Sequence, residues 1–80
     1  MIRVLFFGPV ADSVGARRID TPWRTGLRWQ DVRDELRARY PEAFGWVSIV
    51  AVDGERVIGE AEAPLADGSE IVFMSPFSGG

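Results

Sequence analysis

The stretch Ile2-Arg3-Val4-Leu5-Phe6-Phe7, IRVLFF, decides the fold, because only Arg3 in it is polar. Successive side chains of a strand point to opposite faces, so Ile2, Val4 and Phe6 share one face while Leu5 and Phe7 line the other. A strand apolar on both faces belongs in the middle of a sheet. Ile71 to Met74, IVFM, has the same character at the other end of the chain. These are the two most hydrophobic strands, and setting them side by side at the sheet centre hides both.

Outward from IRVLFF, Gly8-Pro9 ends the first strand, and the loop to Gly15 holds Val10 and Val14 four apart, enough for about one helical turn. Arg17 to Thr21 is a weaker strand, carried by Ile19 and Thr21 and stopped at Pro22, that pairs with the first. Between Trp29 and Tyr40 the apolar residues Trp29, Val32, Leu36 and Tyr40 recur at spacings of three, four and four. That period predicts one amphipathic helix, with Asp31, Asp34 and Glu35 on its solvated face and Pro41 closing it. Arg28 is a poor N-cap, since Ser, Thr or Asp would serve better. Trp46 to Val52 predicts a strand, and Asp53-Gly54 a tight turn into a partner strand over Glu55 to Ile58. An irregular stretch from Gly59 to Ala66 contains Pro64, and Asp67-Gly68 turns the chain into the last strand.

The order is that of one α+β unit, a single domain over residues 1–80 with a flexible tail from about residue 75. One helix cannot cover both faces of a long sheet. The economical packing wraps a mixed four- or five-stranded sheet around that helix and buries Trp29, Val32 and Leu36 against Val4, Phe6, Ile49 and Ile71, a ubiquitin-like β-grasp. Trp23, Trp29 and Trp46 read as core or partly buried surface.

Composition narrows the chemistry. Apolar residues make up 46% of the chain and charged ones 26%, which is globular rather than disordered. The first apolar run is too short for a signal peptide or a membrane span, so the cytoplasm is the expected location. A net charge of -3 argues against nucleic acid, which needs a concentrated basic face. Without cysteine there is neither a disulfide nor a thiol nucleophile, and without histidine as well there is no ordinary zinc site. Carboxylates and Tyr40 alone remain for acid-base work, so no autonomous active site is expected. Lysine is absent too, so no side chain carries an amine; nine arginines serve surface charge equally well.

The last six residues read SPFSGG. Gly79 and Gly80 have no Cβ, so they pass a narrow channel and adopt backbone angles closed to other residues. Pro76 lowers the entropy lost when the tail is ordered on a partner. Phe77 is the expected anchor, worth about 1.5 to 3 kcal/mol once buried in a partner pocket.

Two stretches carry a resemblance: VLFFGPVADSVG near the N-terminus and PLADGSEIVFMSPFSGG at the C-terminus. The chain resembles the ubiquitin-like sulfur carriers, and within them most closely the small subunits of molybdopterin synthase. The resemblance implies that Gly80, with Gly79 beside it, is the chemical site. Its carboxylate is adenylated by an E1-like adenylyltransferase using ATP, then converted to a thiocarboxylate. The sulfur passes to a cyclic pterin precursor inside the large synthase subunit, in a heterotetramer, as a sulfurtransferase reaction. Met74, Pro76, Phe77 and Ser78 are the implied partner-binding residues; no cofactor, metal, nucleic acid or membrane is implied for this chain itself. Two departures touch partner contacts: Ala11-Asp12 replaces a common Arg-Glu pair, and Phe73-Met74-Ser75-Pro76 replaces Phe-Phe-Pro-Pro. The alternatives are a sulfur carrier for thiazole, cysteine or tRNA thiolation, and a β-grasp interaction module that carries no sulfur. Pro76 and the Pro9 to Gly15 loop argue against the thiazole version.

Overall fold

Pairing of the first strand with the last organises the molecule. A computed structural model describes residues 1–59 and 63–76. Along the chain run β1 (Ile2–Phe6), α1 (Pro9–Val14), β2 (Arg18–Thr21), α2 (Trp29–Arg39), α3 (Pro41–Phe44), β3 (Ile49–Val52), β4 (Glu55–Arg56) and β5 (Glu70–Met74). The five strands form one sheet in the order β2-β1-β5-β3-β4. Strands β1 and β5 are parallel and the other neighbours antiparallel, which makes the mixed sheet of a ubiquitin-like β-grasp.

The register assigns each strand an inner face. Val4 lies beside Ile71 and Phe6 beside Phe73, while across β5 Val50 faces Phe73 and Val52 faces Ile71. Ile2, Val4, Phe6, Ile71 and Phe73 are fully buried, in one cluster with Trp29, Val32 and Leu36 of α2. Phe73 stacks on Phe6 at 6.1 Å between centroids and meets the edge of Phe44 at 5.0 Å. Ile49, expected in this core, belongs to the other face; Val50 and Val52 pack inward instead. In the run Ile-Val-Ala-Val both phases of alternation are apolar, so the pairing with β5 decides which one turns in.

The element ends follow local chemistry. Helix α1 stops at Gly15, whose φ of 85° is glycine territory and whose N–H reaches the Ala11 carbonyl. Helix α2 makes up for its poor N-cap from within its first turn, where the Asp31 carboxylate accepts the Arg28 N–H at 2.9 Å, half of a capping box. Pro41 closes α2 and also opens α3, because its fixed φ suits a first helical turn. The chain keeps turning after α3, Trp46 N–H bonding the Ala43 carbonyl and Val47 N–H the Phe44 carbonyl. The strand predicted from Trp46 therefore starts only at Ile49. The strand predicted over Glu55 to Ile58 shortens to Glu55–Arg56. Asp53 (φ 49°) and Gly54 (φ 83°) make the tight turn between β3 and β4. The Asp53 carboxylate accepts the Glu70 N–H at 2.9 Å and the Ser69 hydroxyl at 3.1 Å, tying the hairpin to the start of β5. On the helix side Trp23 Nε1–H bonds the Leu65 carbonyl at 2.8 Å. Trp29 Nε1–H is buried without an acceptor, a state that costs about 1–3 kcal/mol.

The two faces of the sheet should answer differently to truncation. Phe73→Ala is expected to lose about 3–5 kcal/mol in urea denaturation, whereas Phe7→Ala, at an exposed position, should stay within about 0.5 kcal/mol of the parent. Equal losses would contradict a one-sided sheet.

Candidate functional site

The helix covers one face of the sheet, and the register lays out what stands on the other. Leu5 lies beside Val72, which faces Ala51; one step further along, Met74 faces Ile49, and Phe7 continues β1 beside Met74. Two apolar rows thus cross the three central strands. A polar row closes them at the opposite end, where Arg3 lies beside Glu70 at 3.6 Å. On β2 the same face carries Arg18 bonded to Asp20 at 3.0 Å. Exposed pairs of this kind contribute at most about 1 kcal/mol each, so their main effect is to keep that end of the face wet.

Exposure rises toward the end of β5. Val72 is buried by its neighbours, Met74 is half-buried and Phe7 is 51% exposed. An exposed aromatic ring next to other apolar side chains is the composition of an interface centre rather than of a solvated surface. A cavity of about 540 Å³ adjoins the patch, lined by Phe6, Phe7, Ala11, Arg17, Met74 and Ser75. Its mouth carries one cation, Arg17, and one carboxylate, Asp12, at the place where the sequence departs from the common Arg-Glu pair.

The chain leaves the sheet beside this patch. Phe7 N–H bonds the Phe73 carbonyl at 3.3 Å from one side, and Ser48 N–H bonds the Met74 carbonyl at 3.1 Å from the other. Ser75 is buried and Pro76 exposed. Of the residues singled out from sequence, Met74 and Pro76 are thus brought to the rim of the apolar rows. Phe77, Ser78, Gly79 and Gly80 lie outside the described residues.

Sequence reasoning missed Phe7, whereas Trp46, read as core or partly buried surface, is half exposed. Phe7 was read as one of two apolar faces to be hidden, yet a single helix covers only one parity, so a residue on the parity of Leu5 faces outward. Trp46 is 51% exposed on the turn that leads into β3, two residues before Ser48. Nothing in its sequence neighbourhood separates it from a core tryptophan. Among the described residues no group of three or more acidic side chains is placed to hold a metal ion, and no helix is long and apolar enough to cross a membrane.

Comparison with known proteins fits this geometry. No curated protein matches the chain. Among solved structures, SAMP1 of Haloferax volcanii is 21% identical with a TM-score of 0.78, over 99% of this chain and 98% of that one. The HVO 2177 protein of the same organism is 22% identical with a TM-score of 0.78, over 99% and 85%. A Pyrococcus furiosus protein provisionally named molybdopterin converting factor, subunit 1, is 20% identical with a TM-score of 0.75, over 95% and 97%. At these identities the likeness is one of fold. A family model supplies the rest, since that of the ThiS family matches residues 4–80 and so spans the sheet, the apolar rows and the terminal glycines together. The chain belongs to the ThiS family of ubiquitin-like sulfur carriers.

Proposed function

We propose that this chain carries sulfur on Gly80 for the synthesis of molybdopterin. The observation that carries the reading is the family match that runs through residue 80, joined to an apolar face that ends where the tail begins. An oxygen of the Gly80 carboxylate attacks the α-phosphorus of ATP on an E1-like adenylyltransferase, forming the acyl-adenylate and expelling pyrophosphate. A sulfide-level nucleophile then adds to the acyl carbon and AMP leaves, which yields the thiocarboxylate. ATP is a substrate of the activating enzyme, and this chain binds no cofactor of its own. The thiocarboxylate then donates its sulfur to a cyclic pterin precursor within a large synthase subunit.

Each part of the chain has a separate task in this scheme. Phe7, Met74 and the adjoining cavity give the partner an apolar docking face, with Pro76, Phe77 and Ser78 extending it, and Gly79 and Gly80 reach the reacting atoms. Two small subunits on a large-subunit dimer form the proposed heterotetramer. The motifs Pro-Leu-Ala-Asp-Gly and Pro-Phe-Ser-Gly-Gly support this pathway, and the name of the Pyrococcus neighbour agrees with it. A second reading, a protein modifier, is favoured by the likeness to a small archaeal modifier protein from Haloferax volcanii. It uses the same adenylate but ends on a protein amine instead of on sulfur.

Incubation with ATP, an E1-like adenylyltransferase, sulfide and a lysine-bearing acceptor protein separates the readings by intact mass. A sulfur carrier gains the mass of one oxygen-for-sulfur exchange at Gly80. A modifier becomes linked to a lysine of another protein, and an unchanged mass removes both.

Docking and chemistry should also come apart by mutation. Deleting Gly80 should abolish sulfur transfer and leave affinity for the large subunit within about threefold, since one terminal glycine contributes little apolar area. Phe7→Asp should instead weaken docking by about tenfold or more, as hot-spot truncations do. Isothermal titration and a single-turnover transfer assay read the two effects.

A further inference from the structure

Strand β2 is an edge of the sheet, with β1 as its one neighbour among the described residues. The pairing sets Ile19 beside Val4, Asp20 beside Arg3 and Arg18 beside Leu5, and Phe6 N–H bonds the Arg17 carbonyl at 2.9 Å. Residues of an antiparallel strand turn their main-chain groups alternately toward and away from a given neighbour. With Arg17 turned to β1, Ile19 and Thr21 turn the same way, and the N–H and carbonyl groups of Arg18 and Asp20 point to the open edge. Outside the ladder no hydrogen bond among the described residues uses them.

The side chains of these two outward-turned residues are a cation and an anion. Arg18 Nε lies 3.0 Å from the Asp20 carboxylate, and the two side chains are 57% and 42% exposed. Between them, on the other face, Ile19 packs partly buried against the core. Charges on an edge strand commonly repel a second copy. Here their order decides otherwise. A twofold axis that sets residue i against j also sets j against i. An antiparallel ladder on this edge must oppose outward-turned residues to outward-turned ones, so within β2 the axis can pass only at Arg18, Ile19 or Asp20. At Arg18 it opposes two guanidinium groups, and at Asp20 two carboxylates, both unfavourable. At Ile19 it opposes Arg18 to Asp20 on both sides of the axis.

We propose that β2 pairs with β2 of a second copy of this chain about a twofold axis at Ile19, joining two sheets into one. Arg18 N–H then bonds the Asp20 carbonyl of the second copy, and Asp20 N–H its Arg18 carbonyl, so all the outward main-chain groups of both residues are used. Each Arg18 side chain lies between the Asp20 of its own chain and that of the second copy, and Ile19 packs on Ile19. An extended segment of another protein meets the same main-chain groups, but the charges match only where acid and base stand in this order about one central residue, as they do in β2 itself. The strand is four residues long and Pro22 follows it without an N–H to give, so the contact is small and exchanges, with a dissociation constant on the order of 0.1–1 mM. The tail root at Met74 belongs to β5, on the far side of β1 from this edge. Pairing at β2 therefore leaves the tail root and the apolar rows open, and the proposal does not depend on the sulfur-carrier reading.

The test follows amide spectra and translational diffusion of the ¹⁵N-labelled full chain from about 0.02 to 2 mM, a range that brackets the expected constant. The Arg18, Ile19 and Asp20 amides should shift together along one binding curve, with diffusion slowing toward that of a dimer. Arg18→Asp and Asp20→Arg each set like charges opposite one another in the pair, and each should weaken self-association about tenfold or more. An equimolar mixture of the two variants sets opposite charges together again and should pair about as well as the parent. Loss of an interaction within one chain would not be repaired by mixing, so this rescue separates pairing from a merely structural effect. The proposal is overturned if the three amides do not move up to 2 mM, if the mixture pairs no better than either variant alone, or if the concentration-dependent shifts fall on Phe7 and Met74 or on Arg56 and Val57, which would place the contact on the open face or at the β4 edge.

Discussion

The parallel contact between β1 and β5, with Phe6 lying beside Phe73, is the constraint on which the rest depends. It joins the two ends of the chain, so everything between them must leave the sheet and return to it. A crossover holding α2 satisfies that requirement and packs Trp29, Val32 and Leu36 with Ile2, Val4, Ile71 and Phe73. Because the strands are parallel, the chain enters the sheet at one end and leaves it at the other. The tail root is thereby carried to Phe7, away from the polar row of Arg3 and Glu70.

A sheet with one helix keeps one face uncovered, and this chain uses both faces unequally. The inner face is saturated with apolar side chains. The outer one is apolar only across Leu5, Val72, Ala51, Phe7, Met74 and Ile49, near the tail. Core packing and the outer apolar patch are therefore divided between alternate residues of the same strands. In β1, Val4 and Phe6 are buried in the core, while Leu5, and Phe7 just beyond the strand, stand on the other face. The chain has no histidine, cysteine or lysine, so its side chains offer few acids, bases and nucleophiles beyond carboxylates and Tyr40.

The hairpin edge follows another logic. Asp53 links the turn to β5, and β4, two residues long, is the last strand of the sheet among the described residues. Short edge strands normally limit unwanted pairing.

Much of this was legible in the residues. IRVLFF and IVFM reveal two central strands, the spacing of Trp29, Val32, Leu36 and Tyr40 reveals one helix, and the Asp53-Gly54 and Asp67-Gly68 turns bound the late strands. These signals are local, because periodicity and turn chemistry act within a few residues. The tertiary structure alone decided that Val50 and Val52 turn inward instead of Ile49, that Phe7 and Trp46 stand in solvent, and that Trp29 buries a donor without an acceptor. Alternation in a strand defines two faces without saying which of them meets the helix. That choice comes from register with strands far away in the chain, and a shift of one residue would exchange every inside residue for an outside one.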